Sequence, residues 1–130
     1  PGEILREIRL PTQPAGSGAA FRRFTLRRGS ALAVAAVTAW VRLEADTVAE
    51  ARIVMGAVGP VPLFAERAVG RLAGEKADPE LFAAAARVAA EEAQPISDLR
   101  GSEQYRRDIV EVLTARALAA AVERARGGAA

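Results

Sequence analysis

The residues best suited to chemistry in this sequence are arginines, carboxylates and hydroxyls, and they gather in two places. The first is Phe21-Arg22-Arg23-Phe24-Thr25-Leu26-Arg27-Arg28, with Gly29 and Ser30 opening a turn behind it. Guanidinium groups beside a loop with free backbone N–H groups suit phosphate, or a ribose-phosphate edge, through bidentate hydrogen bonds. A solvated strand face, with arginine stems covering apolar surface, accounts for the same residues, and the arginine bias of the chain favours this plainer reading. The second place is the run Ile96-Ser97-Asp98-Leu99-Arg100-Gly101-Ser102-Glu103-Gln104-Tyr105-Arg106-Arg107. Ser102 reads as a helix N-cap with Glu103 in the first turn, Gly101 supplies the turn, and Asp98 and Arg100 brace the loop by hydrogen bonds. A capped helix behind a structural polar loop therefore explains most of it. Neither Ser97 nor Ser102 has a base to activate it as a nucleophile. Glu91 and Glu92 are adjacent on a helix and so point in different directions, which argues against a metal-binding pair. The sequence contains no P-loop and no G-x-G-x-x-G.

Composition narrows the chemistry further. The 130 residues include no cysteine and no histidine, which removes the usual ligands of zinc, iron–sulfur and haem sites, a cysteine nucleophile and a histidine base. Catalysis would have to rest on Asp, Glu, Lys, Tyr or Arg, and no catalytic residue or metal ligand is assigned. Eighteen basic against sixteen acidic side chains give a net charge of +2, too small a surplus for phosphate tracking, so nucleic acid is not the expected partner. Glu3, Arg6, Glu7 and Arg9 occupy the N-terminal stretch where a signal peptide needs apolar residues. The longest apolar run, Ala31 to Val41, is about half a membrane span and is interrupted by Thr38. No membrane partner and a cytoplasmic location are expected. A chain of this size builds one core without staples. It starts at Pro1 with no methionine, as a piece of something longer would.

The elements that position these residues follow from hydropathy spacing. Glu3 to Leu10 places Ile4, Ile8 and Leu10 on one side, which predicts a strand stopped by Pro11. Pro11 to Gly18 reads as a loop. Ala31 to Glu44 is ambiguous between helix and strand, because alanine favours the one and Val34, Val37, Thr38, Trp40 and Val41 the other. The partner decides for a strand: Ala45-Asp46 can close a tight turn onto a return strand, Thr47 to Val58. From Leu63 the period becomes helical. Leu63 to Gly74 carries Leu63, Ala65, Ala68, Val69 and Leu72 on a shared face and stops at Gly74. Asp78 caps a second helix with Pro79 in first position, running to about Ala93 with Leu81, Ala85, Val88 and Ala89 inward. A third helix begins at Ser102, carries Tyr105, Ile109, Val112, Leu113, Ala117 and Leu118 at spacings of three and four, and frays at Gly127-Gly128. Strands first and helices afterwards predict one α+β domain over residues 1–130, with about three helices packed on one face of a small, about three-stranded antiparallel sheet.

Three stretches together carry a resemblance: PISDLRGSEQYRRDIVEVLTARAL, EILREIRLP at the start, and Gly56-Ala57-Val58-Gly59-Pro60-Val61-Pro62. They resemble the C-terminal domain of the FAD-binding medium subunit of molybdenum hydroxylases, the family of carbon monoxide dehydrogenase and xanthine dehydrogenase. The resemblance runs from Glu3 to about Ala121, and the Asp98, Arg100, Ser102, Tyr105 and Arg106 pattern is its most specific part. It implies a role inside an oxidoreductase: the medium subunit passes electrons through FAD to an external acceptor. It also implies three partners, namely the N-terminal FAD domain of the same subunit, a small iron–sulfur subunit and a large molybdopterin subunit.

The family's basic stretch falls on Arg23 to Ala33. Arg23 takes a lysine position, Arg27 an arginine position, and the loop containing Arg28 and Ser30 is the segment implied to approach the flavin. Ala31 stands where the family often has Asp, and Phe64 and Val69 replace its Arg and Glu. With the main glycine-rich flavin contacts in the N-terminal domain, FAD is not expected to bind this chain alone. The alternative from another class is a stand-alone binding or scaffold module that uses the Arg22–Arg28 patch.

Overall fold

The computed structural model describes residues 2–127. A four-stranded antiparallel meander is formed by β1 (Ser17–Thr25), β2 (Ala33–Glu44), β3 (Thr47–Gly56) and β4 (Leu63–Phe64), in spatial order β1-β2-β3-β4. Three helices follow, α1 (Glu66–Gly70), α2 (Pro79–Glu92) and α3 (Glu103–Ala125). The α+β architecture is thus the one expected. Alternation in β2 explains why the helices lie on one face: Ala35, Val37, Ala39, Val41 and Leu43 are buried, whereas Thr38 and Glu44 are exposed. Ala45 and Asp46 form the turn into β3, and Glu44 pairs with Thr47 across it.

Alanine and glycine set the closeness of the two layers. α3 lies across β1 and β2 with Ala117, Leu118 and Ala121 fully buried. Gly18 of β1 sits directly beneath it, where a Cβ would fall 2.2 Å from the Ala121 carbonyl oxygen and 2.5 Å from the Ala125 nitrogen. Only glycine permits that approach. α2 packs in turn on α3 through Phe82, Ala85, Ala86 and Ala89. Its N-terminus is built as the sequence implies, with Asp78 Oδ1 accepting the Leu81 N–H at 2.9 Å and Pro79 in the first turn.

Four expectations require correction. Glu3–Leu10 is not a strand, because it has no neighbour to pair with among the described residues, and Ile4, Ile8 and Leu10 are exposed. Its place as a strand is taken by Ser17–Thr25, so the expected loop Pro11–Gly18 ends in the first residues of β1. Leu63–Gly74 is not one helix. Leu63 and Phe64 pair with Met55 and Val54 instead, Glu66–Gly70 makes little more than one turn, and Gly74 donates its N–H to the Val48 carbonyl at 2.9 Å. The ladder captures the start of the segment before a helix can form. Finally, Tyr105 and Val112 face outward in α3, where Arg106, Val110 and Thr114 take the buried stripe.

Candidate functional site

The run at residues 96–107 forms the junction between helices and sheet. Ser102 Oγ accepts the Tyr105 N–H at 3.2 Å and Ser97 Oγ accepts the Glu103 N–H at 2.9 Å, so both hydroxyls serve the N-terminus of α3. The loop before it is closed by reciprocal backbone hydrogen bonds between Asp98 and Gly101, each 3.1 Å. Asp98 accepts the backbone N–H of Arg100 at 2.8 Å, the Arg100 guanidinium at 2.7 and 3.0 Å, and the Arg106 guanidinium at 2.6 Å. These donors, the Arg100 N–H foremost and then the Arg100 and Arg106 guanidiniums, hold the Asp98 carboxyl well below the usual carboxylate range.

Arg106 is the member that reaches furthest. It is 3% exposed and donates to the Val34 carbonyl at 2.8 Å and the Ala57 carbonyl at 3.5 Å, tying the start of β2 to the segment after β3. Its Nε is buried without a partner among the described residues. Arg107 turns the other way and donates to the carbonyls of Ala90 at 3.1 Å and Ala93 at 2.6 Å, placing a cation on the C-terminus of α2. Tyr105 stacks edge-on against Phe24, ring centres 6.3 Å apart.

The arginine run at 22–28 does not form one patch. Strand alternation sends Arg23 to the open face of the sheet and Arg22, half-buried, to the opposite side. Arg27 folds back onto its own loop, its Nε 3.2 Å from the Ser30 carbonyl, and Ser30 holds a positive φ of 43°. Arg27 and Ser30 share a hollow with Leu32 and Arg100. Arg28 is exposed and makes no side-chain hydrogen bond among the described residues. Arg23 instead borders a feature the sequence reading missed. In register across the open face stand Phe21, Thr38, Val54 and Phe64, one from each strand, with Phe21 55% and Phe64 47% exposed. Trp40 stands on the same face with the Arg52 guanidinium 5.8 Å from its ring centre. The signal was present in the period-2 spacing of Phe21 and Arg23, but it needs the register of four strands to become a surface.

A family described as CO dehydrogenase flavoprotein C-terminal domain matches residues 5–121. The chain belongs to this family. It is 34% identical over 127 residues to the 6-hydroxypseudooxynicotine dehydrogenase complex subunit alpha of Paenarthrobacter nicotinovorans, covering 97% of this chain and 43% of that protein. It is 32% identical to the carbon monoxide dehydrogenase medium chain of Afipia carboxidovorans, covering 97% of this chain and 43% of the relative. Among solved structures, carbon monoxide dehydrogenase from Hydrogenophaga pseudoflava superposes with a TM-score of 0.84 at 33% identity, over 88% of this chain and 40% of the other. Quinoline 2-oxidoreductase from Pseudomonas putida 86 does so with a TM-score of 0.79 at 29% identity, over 84% of this chain and 38% of the other. The chain thus spans less than half the length of the relatives it matches. Among the described residues, no helix is long and apolar enough to cross a membrane.

The CO dehydrogenase flavoprotein fold therefore distributes its two sequence signatures differently. The run at 96–107 is spent on joining helices to sheet, whereas the basic stretch of this family member divides between the open face, through Arg23, and the loop of Arg27 and Ser30.

Proposed function

We propose that this chain is the C-terminal domain of the FAD-binding subunit of a molybdenum hydroxylase, working in the cytoplasm, and that the open face of its sheet closes over the flavin. The observation that carries this reading is the exposed row Phe21, Thr38, Val54 and Phe64, bordered by Arg23, on a sheet whose other face packs against the helices. A flat apolar strip suits a planar aromatic ring, and a neighbouring guanidinium suits its carbonyl edge. The residues present therefore fit the group. Arg23 would lie beside the ring, with Arg27, Arg28 and Ser30 in the loop that approaches it. When bound, FAD supplies the electron relay to an external acceptor, and these residues exclude water from one side and orient the edge. Catalytic groups are not assigned to this chain, and the remaining contacts belong to an N-terminal FAD domain. An iron–sulfur subunit and a molybdopterin subunit complete the assembly.

The test is to purify the native polypeptide that contains this sequence under mild conditions and record its mass, flavin spectrum and companions. The expected result is a yellow polypeptide of about twice this length, as the coverage of 43% implies, together with iron–sulfur and molybdenum subunits. Arg23→Glu in that polypeptide lowers its flavin content. A colourless polypeptide without those companions overturns the reading, as does tight FAD binding by residues 1–130 alone.

A further inference from the structure

The loop between β1 and β2 is tied within itself and hardly at all to the body of the domain. Among the described residues, 26–32 form hydrogen bonds only with one another and with Thr25: Thr25 Oγ1 donates to the Arg27 carbonyl at 2.8 Å, and Arg27 Nε to the Ser30 carbonyl at 3.2 Å. Ser30 keeps a left-handed φ of 43°, which a residue with a Cβ holds only where its surroundings impose it. Beneath the loop is a hollow of about 350 Å³, walled by Leu26, Arg27, Ser30, Ala31, Leu32 and, from elsewhere in the fold, Arg100. Arg100 is itself engaged by Asp98 at 2.7 Å. With little packed under it, the direction of this loop is decided where it leaves β1 and where it enters β2.

Both ends are held by the first turn of α3. On the β1 side the half-buried Phe24 meets the edge of the Tyr105 ring. Gly101 makes room for that ring, since a Cβ there would fall 2.8 Å from Tyr105 Cδ1. On the β2 side the register passes from Phe24 opposite Ala35 to Thr25 opposite Ala33, so Val34 is the extra residue of a bulge with no partner on β1. Val34 is fully buried, and a buried carbonyl outside the ladder needs a donor from another element. Arg106 supplies it at 2.8 Å, with its guanidinium fixed in turn by Asp98 at 2.6 Å. Two consecutive residues of one helix therefore hold the two ends of one loop.

We propose that Tyr105 and Arg106 are positioning residues for the flavin-facing loop: they set the angle at which residues 26–32 leave the sheet, and so how closely Arg28 and Ser30 approach the flavin. The proposal rests on the reading above that this loop lies against the flavin. Groups that meet a ligand are placed by the packing and hydrogen bonds of residues behind them, and bulges beside such sites re-aim the chain. The signature at 98–106 thereby serves the loop as well as the N-terminus of α3.

The experiment compares amide exchange at residues 26–32, flavin content and the visible circular dichroism of the bound flavin in the native polypeptide and in its Tyr105→Ala, Tyr105→Phe and Gly101→Ala variants. Tyr105 is 39% exposed, so its truncation leaves the core in place. Tyr105→Ala is expected to quicken exchange at 26–32 about two- to tenfold, the worth of one edge-on pair, and to change the flavin dichroism. Tyr105→Phe keeps the ring and matches the parent in both. Gly101→Ala pushes the ring off its seat while both aromatic residues remain, and is expected to resemble Tyr105→Ala. Exchange that quickens evenly through the domain, with the dichroism of the retained flavin unaltered, marks a general brace and overturns the proposal. Loop exchange in Tyr105→Ala equal to the parent's, or quickened loop exchange under an unaltered flavin signal, overturns it as well, and in each case the retained flavin leaves the flavin-subunit reading standing. A parent polypeptide without flavin overturns that reading and the proposal with it.

Discussion

Replacing Arg106 with methionine tests whether one side chain joins the helical layer to the sheet. Methionine keeps most of the buried stem but removes every donor, so the Val34 carbonyl loses its 2.8 Å partner and Asp98 its 2.6 Å partner. A buried carbonyl left unsatisfied costs about 1–3 kcal/mol. Asp98 still holds Arg100 and is partly solvated, and the unpartnered Nε of Arg106 disappears with the substitution, which offsets part of the loss. The expected destabilisation is therefore about 2 kcal/mol, or about 8 °C in melting temperature for a domain of this size. Urea unfolding followed by Trp40 provides the assay, since it is the single tryptophan and stands on the sheet beside Arg52. The location of the effect matters as much as its size. Amide exchange should quicken at residues 32–34 and 57–59, the two segments Arg106 ties together, and stay unchanged in α2. Arg106→Lys should recover only part of the loss, because one ammonium cannot reach both the Val34 carbonyl and the Asp98 carboxylate as the two terminal nitrogens of the planar fork do. A change below about 0.5 kcal/mol, or exchange that quickens evenly over the domain, refutes the clamp.

Three further outcomes follow from named contacts. Gly18→Ala drives a methyl group to 2.2 Å from the Ala121 carbonyl, so α3 must lift from β1, and urea unfolding should show a loss of about 3 kcal/mol. Glu92 accepts the N–H groups of Arg67 and Ala68 at 3.0 Å each and so caps α1 from the end of α2; Glu92→Ala should cost about 1 kcal/mol by the same measurement. The depressed Asp98 carboxyl gives stability that is fully present above its unfolded value, near about pH 4, and is lost as pH falls through the lower folded value. Acid unfolding of Asp98→Asn should lack that component, so its stability curve should be flatter than the parent's below about pH 4.

Features held by neighbours in the chain could be read before the fold was known. Asp78 followed by Pro79 announces a helix start because the cap acts on a backbone three residues away. The β2–β3 hairpin could be inferred because a two-residue turn joins two apolar runs. What failed was any feature decided by a distant competitor. Leu63 and Phe64 have helical spacing, yet the open edge of β3 offered them a ladder. Glu3–Leu10 alternates as a strand does except at Leu5 and Arg6, but alternation supplies no partner.

The same distinction explains the two candidate sites. In the run at 96–107, the caps of Ser97 and Ser102 are local and agree with the residue types, whereas the acceptors of Arg106 lie 72 and 49 positions away. No spacing rule reaches that far, so an arginine that spans two layers looks in sequence like any other helix arginine. The basic run shows the converse. Its four arginines are adjacent and suggest one patch, but the two-residue period of β1 separates Arg22 from Arg23, and the turn withdraws Arg27 onto Ser30. A phosphate-tracking surface needs its cations on one side, and this strand divides them. What the division leaves on the open face is one of the four guanidiniums beside a strip of apolar side chains, while Arg52 on that face lies over Trp40 and Arg42 is paired with Glu44 and Glu50, an arrangement better matched to a flat ring with a polar edge than to an extended polyanion.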